Sequence, residues 1–262
     1  MLELIRDAYR YRKLIWLLAL KELRIRYSRS ALGFLWALLH PLLMAIVLTV
    51  VFSYILRFGI EEYPVFLLST LFPWTFFSQS LAYSTESLVG NGALLKKVYV
   101  PPVAFPLATI TASLVNFLLS LIPLALLLLV LGFPFHWTWV YLPVPLLSLL
   151  LFTLGCGLVL AAANVYYRDV SHIVQVVLMA LFYFSPIIYD LRFIDPRFHI
   201  VFRFNPLLYI LNGFRLAIYG DAHQGLLPSP QSVFMSIACG VLALIVGYQV
   251  FRRYRESFVF YV

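Results

Sequence analysis

Few side chains in this 262-residue chain could do covalent chemistry, and they stand apart from one another. A lipid-sugar transferase needs carboxylates gathered around a metal–diphosphate, and the connections on the inner side offer only Glu86 and Asp169 toward that task, without clustering. An intramembrane serine protease needs an activated serine beside a base. His40 and His172 lie in apolar runs, but no serine carries a nucleophile signature. The five histidines show no metal-ligand spacing. Cys156 and Cys239 fall inside apolar runs and read as small buried thiols rather than as a disulfide or metal pair. No Gly-Lys dipeptide occurs, so the phosphate-cradling loop of nucleotide hydrolases is absent. What remains inside the apolar runs is neutral and polar, of the kind of Gln79, Asn116 and Asn164. Such groups bond neighbouring helices more often than they bind ions. No Asp, Glu, Lys or Arg interrupts those runs, so ion-coupled transport lacks its usual intramembrane charge.

The elements around these residues are built for a bilayer. The chain is 63% hydrophobic, only 11% charged, and has a mean hydropathy of +0.94. A soluble domain carries about 25% charged residues. From Leu32 to Leu56 no residue is fully charged at neutral pH. Those residues would form a helix of roughly 37 Å, enough to cross a hydrocarbon core of about 30 Å. Further apolar spans run from Pro64 to about Tyr83, interrupted at Pro73, and from about Val103 to Leu131. Two more follow, Leu142 to about Val165 and Val170 to Ile188, the latter stopped by Ser185-Pro186. The last runs from Ser232 to about Phe251. The expected fold is an all-α membrane protein with six transmembrane helices per subunit. An N-terminal amphipathic interfacial helix covers 1–31 and the permease domain 32–262.

Charge orients the bundle. Eight cations precede residue 32, Lys96 and Lys97 follow the second span, Arg168 follows the fourth, and Arg252, Arg253 and Arg255 follow the last. The remaining five, Arg57, Arg192, Arg197, Arg203 and Arg215, fall on the opposite side. This bias puts both termini in the cytoplasm. The net charge of +8 is thus a topology and lipid-headgroup signal, and no nucleic-acid partner is expected. The N-terminal segment lacks a small-residue cleavage site and reads as mature sequence. Its basic helix fits the cytoplasmic headgroup layer, with Trp16 and Tyr27 at the interface and Glu22 able to pair with Arg26; a disordered basic tail is the other reading. Between the last two spans, Leu207 to Tyr219 is apolar but too short to cross and reads as re-entrant or interfacial. Asn205 can cap that helix, Pro206 suits its first position and Gly220 its stop.

A sealed bundle with no ion site needs work from elsewhere, and several blocks resemble a family that receives it from an ATPase. Arg26-Tyr27-Ser28-Arg29-Ser30-x-Leu32-Gly33-x-x-Trp36, followed by Pro41, is similar to the approach to the first span in polysaccharide-exporting type-2 ABC-transporter permeases. Asn91-x-x-Leu94-x-Lys96-Lys97-Val98 with Pro101 is similar to that family's inner loop. Arg168-Asp169, then Phe182-Tyr183-x-Ser185-Pro186-Ile187-Ile188-Tyr189, Asn205-Pro206-Leu207 and Phe214-Arg215 continue the likeness in order over nearly the whole chain. The O-antigen (Wzm-type) branch is nearest, with capsule and teichoic-acid permeases close by; drug or lipid exporters of the superfamily and a membrane lipid-modifying enzyme are the alternatives. Gly90 and Gly92, flanking Asn91, depart from the pattern and soften the inner loop.

The resemblance implies a non-catalytic subunit that binds no cofactor itself. It would form a homodimer on two copies of a separate ATPase that holds ATP and Mg. The substrate would be an undecaprenyl-linked polysaccharide crossing a bacterial inner membrane, amid membrane lipids. The coupling loop, 85–101, would act through Ser87, Asn91, Leu94, Leu95, Lys96, Lys97 and Val98; a basic loop facing lipid phosphate fits those residues too. Arg29, Ser30, Leu32 and Gly33 would hinge the first span, glycine tolerating backbone angles that other residues resist. Phe52, Tyr54, Phe182, Tyr183, Phe184 and Tyr189 would stack on sugar rings along a passage; an interfacial aromatic belt needs no such ligand. The outer hairpin, 190–230, would gate the passage through Asn205, Pro206, Phe214 and Arg215, or lie passively at the interface.

Overall fold

A computed structural model of the chain describes residues 2–27, 33–55, 59–60, 62–97, 100–133, 137–219 and 230–262. Among the described residues every regular element is helical. Helices α1 (Leu2–Arg10) and α2 (Arg12–Tyr27) open the chain. A 3₁₀ turn, Gly33–Leu35, leads into α3 (Trp36–Thr49), which continues as a π-helical turn, Val50–Ile55. Then come α4 (Tyr63–Gly90), α5 (Gly92–Lys97), α6 (Ala104–Val130), α7 (Pro143–Tyr166) and α8 (Val170–Phe184). Short turns precede α9 (His199–Arg203) and α10 (Pro206–Tyr219), and α11 (Pro230–Tyr254) and α12 (Phe258–Tyr261) complete the order.

Among the described residues, four helical stretches are long and apolar enough to cross a membrane: Tyr63–Gly90, Ala104–Val130, Trp137–Tyr166 and Gln231–Tyr254. Leu42–Ser53 and Val170–Phe184 are apolar but shorter. The fifth apolar run ends early for a local reason. Ser185 is extended (φ −103°, ψ 135°), as the residue before a proline is pushed to be, and Pro186 has no N–H to continue the ladder. The second run, by contrast, extends past Tyr83 to Gly90, so Thr85 and Ser87 are helical rather than in a loop. Their hydroxyls donate to the carbonyls of Leu81 and Ser84, which satisfies them inside the helix. Pro73 is accommodated without interrupting α4.

Helix α4 is the post of the bundle. Of its most apolar stretch 78% is buried, against 28–44% for the other three long helices. Two hydrophobic cores stack along it. One joins the first half of α4 to the later turns of α6, to Ile187 and Ile188, and to α10. The other gathers Leu4, Ile15, Leu18, Leu88, Leu95, Phe105, Val165, Phe251 and Phe258, so both chain termini share one end.

The N-terminal segment departs from a single helix lying across the base. It is two helices, and α2 packs against α6. Lys21 Nζ donates to Asn91 Oδ1 at 2.9 Å, while Asn116 Nδ2 donates to the Tyr27 hydroxyl at 3.1 Å. Tyr27 is therefore engaged by α6, whereas Trp16 is exposed. Arg26 does not pair with Glu22. It sits 3.6 Å over the Tyr83 ring and donates to Ser113 at 3.3 Å, because an aromatic face and an interior hydroxyl outweigh a solvent-exposed i,i+4 ion pair.

Helices α7 and α11 meet backbone to backbone. A Cβ at Gly247 would fall 2.1 Å from the Gly155 carbonyl oxygen, and one at Gly155 would fall 2.2 Å from the Ala243 carbonyl. Small residues at helix contacts let backbones approach so closely. Gly247→Ala should therefore lower stability by about 1–3 kcal/mol, since neither backbone can yield cheaply. Detergent thermostability read by size-exclusion chromatography checks this; Gly90→Ala, with open space around its new methyl, should leave the profile unchanged.

Candidate functional site

At the end holding the chain termini, α5 is a platform clamped from three sides. Asn91 joins α4 to α5: its Nδ2 donates to the Ser87 carbonyl at 2.9 Å, and its Oδ1 receives Lys21. Helix α4 ends at Gly90 and α5 begins at Gly92. A Cβ at Gly92 would fall 2.2 Å from a methyl of Val262, which seats against it. The tail is held in turn by the α7–α8 corner. Arg168 Nη2 donates to the Tyr261 carbonyl at 3.0 Å, and the Tyr166 hydroxyl bonds Ser257 at 2.6 Å. Leu95 turns into the core at 6% exposure, Leu94 packs half-buried beside it, and Lys96 and Lys97 face outward. Ser87 is buried within α4. The platform thus presents charge rather than leucine. Sequence reasoning passed over Tyr166, Ser257 and Tyr261; a polar pair in a basic tail carries no distinguishing pattern.

The opposite end is organised by an extended stretch. Residues 185–188 are buried and non-helical, so their carbonyls need partners within the protein. Arg215, 6% exposed, supplies two of the four. Its Nη2 donates to the carbonyls of Pro186 at 2.7 Å and Ile187 at 3.2 Å, and to Thr70 Oγ1 at 3.2 Å. Its guanidinium lies 3.8 Å over the Phe66 ring. The Tyr63 hydroxyl donates to the Ile188 carbonyl at 2.8 Å. Asn205 caps α10, its Oδ1 accepting from the Leu207 N–H at 3.0 Å, and its Nδ2 reaches Ser185 Oγ at 3.0 Å. Phe214 is buried and Pro206 half-buried. Helix α10 is therefore packed into the bundle along most of its length. Thr70 was hidden in an apolar run and Tyr63 stood in the short connection before it; neither carries a local signal for a partner so distant along the chain.

The aromatic residues form two sets. Phe182 packs against Trp74 with centroids 5.7 Å apart and meets Tyr183 edge-on at 5.3 Å. Both border an open-sided groove of about 410 Å³ between α3, α4 and α8, floored by Trp74, Ser78 and Gln79. Tyr183 is 59% exposed. Phe184 and Tyr189 instead converge on Phe202, and burial raises the Tyr189 phenol pKa. Phe52 stacks on Tyr63, away from the groove. Gly33 adopts φ +50°, a left-handed angle that glycine tolerates. Arg29, Ser30, Leu32, Val98 and the Tyr54 side chain lie outside the described residues.

Removing Arg215 as Arg215→Met should leave two buried carbonyls with one donor fewer and cost about 3 kcal/mol. A drop in thermostability larger than that of Asn205→Ala would verify that the guanidinium holds the extended stretch.

A family profile described as ABC-2 type transporter matches residues 13–219. The O-antigen export system permease protein RfbA of Myxococcus xanthus is 34% identical over 260 residues, 98% of each chain. RfbA of Klebsiella pneumoniae is 28% identical over 240 residues, covering 91% of this chain and 90% of that one. The polysialic acid transport protein KpsM of Escherichia coli is 24% identical over 244 residues, covering 92% and 93%.

Proposed function

The chain belongs to the ABC-2 type transporter family, and from that membership we propose that it is the permease subunit of an ATP-driven exporter of lipid-linked polysaccharide. One observation carries this reading: the chain is similar over essentially its full length to permeases named for two different exported polysaccharides, O-antigen and polysialic acid. Both names denote exported polysaccharides, and the polymer proposed here travels on a lipid carrier of the undecaprenyl type. The protein works in a bacterial inner membrane, its two shorter apolar helices adding to the four long ones to give six crossings. Both termini share one end, as an even number of crossings requires, and the cation bias makes that end cytoplasmic.

In this reading two copies face each other across the exposed side of α8, where Val176, Met179 and Tyr183 find no cover within the chain. Each contributes one wall of the passage through the groove at Trp74, Phe182 and Tyr183. Aromatic faces hold sugar rings loosely, which suits a polymer that must slide. Two copies of a separate ATPase carry ATP and Mg and dock on Lys96 and Lys97. Motion of α5 passes through Asn91 into α4, whose far end holds the Ile187 and Ile188 carbonyls through Thr70 and Tyr63. A single rod thus links the motor platform to the outer hairpin, the re-entrant gate above the passage.

Two outcomes test this. Lys96→Glu with Lys97→Glu should weaken ATPase association at least about tenfold while the permease remains folded, because the exposed charges guide docking rather than support the core; co-purification of undiminished ATPase would count against it. Phe182→Ala with Tyr183→Ala should slow polymer export several-fold with ATP hydrolysis retained, as measured by surface polysaccharide and ATPase assays, and unaltered export would remove the stacking role.

A further inference from the structure

A second cavity, of about 180 Å³, lies between α2, α3, α4 and α6 and shares Thr75 and Gln79 of α4 with the aromatic groove. Arg26, Gln79, Ser113 and Asn116 line it together with Phe76 and Phe117. Its depth is unusual for a cation. Ser113 lies nine residues into α6, about 14 Å along the axis, and Tyr83 is seven residues, about 10 Å, from the end of α4. Arg26 is held there by the Tyr83 face and the Ser113 hydroxyl, and it makes no salt bridge among the described residues.

Its hydrogen bonding is incomplete in a particular way. Nη1 is used, but Nε and Nη2, both buried, have no partner. Those two atoms form one edge of the guanidinium, the parallel pair of N–H groups that grips two oxygens of a carboxylate or phosphate. Asn116 Oδ1, also buried and without a partner, adds an acceptor on the same wall. An unneutralised cation with an idle fork is costly inside a bilayer unless an anion completes it. The anion abundant at this boundary is the phosphate of a lipid.

We propose that this cavity binds the phosphate of an anionic membrane lipid, its oxygens on the Nε–Nη2 edge of Arg26 and a headgroup hydroxyl or P–OH of the ligand on Asn116 Oδ1. The phosphate belongs either to a bilayer phospholipid or to the diphosphate of a polyprenyl carrier. Only the second source rests on the export reading; the site itself needs no more than a bilayer.

The permease, purified with its ATPase, is placed in phosphatidylcholine nanodiscs doped in separate arms with phosphatidylglycerol or polyprenyl diphosphate, then stripped with detergent. Bound lipid is counted by native mass spectrometry. Wild type should retain one dopant, and Arg26→Gln should retain about tenfold less, the loss expected for a bidentate charged pair. Arg26→Lys, which keeps the charge but not the fork, should lose at least about threefold and decides the matter if Arg26→Gln fails to assemble. The dopant that depends on Arg26 identifies the source. Equal retention of both dopants by wild type and variants would overturn the site and leave the cavity to water. No transport is measured, so that failure leaves the export reading untouched.

Discussion

Backbone that is buried but not helical is costly, because no water is present to receive its carbonyls. This protein carries such a stretch at residues 185–188, and the hairpin end is arranged around satisfying it. Arg215 reaches across from α10 to two of the carbonyls, Tyr63 takes a third, and Thr70 steadies the guanidinium. A buried extended stretch, a short helix and the first turns of α4 are thereby fixed to one another through Arg215, Tyr63 and Thr70. Charge here is structural: the cation replaces missing solvent rather than meeting a carboxylate.

The rest of the molecule follows from α4. Buried along most of its apolar length, it runs between the two cores and touches the machinery at both ends. Asn91 at one end and Tyr63 at the other are its contacts with the α5 platform and the hairpin. Between these, the glycine seam of α7 and α11 braces the bundle without using side-chain volume. Division into two cores lets each end hold a distinct geometry while sharing the same rigid post.

Much of this was legible in the sequence, for identifiable reasons. Lengths of apolar runs located the four long helices, whereas the 32–56 run yields only the shorter Leu42–Ser53, and Asn205-Pro206 marked the start of α10 because capping chemistry is local. Ser185-Pro186 marked the stop of α8 for the same reason. What could not be read depended on partners distant along the chain. Thr85 and Ser87 looked like loop residues, yet each bonds its own helix, so α4 runs on to Gly90. Leu94 and Leu95 looked alike as apolar anchors, and nothing in six residues says that Leu95 faces its own core. Arg26 looked like a headgroup cation, since Ser113 and Tyr83 are brought to it only by the packing of α2 against α6.

The seam between α7 and α11 also has a consequence in time. Ninety-odd residues separate Gly155 from Gly247, so α7 is synthesised well before its mate. An apolar helix is stable alone in a bilayer, and the bare backbone strip at Gly155 can wait against acyl chains. Docking of α11 is then a late step of biogenesis, the one that closes the bundle. Nascent chains stalled before it would be membrane-inserted yet unassembled, a form open to quality-control proteases.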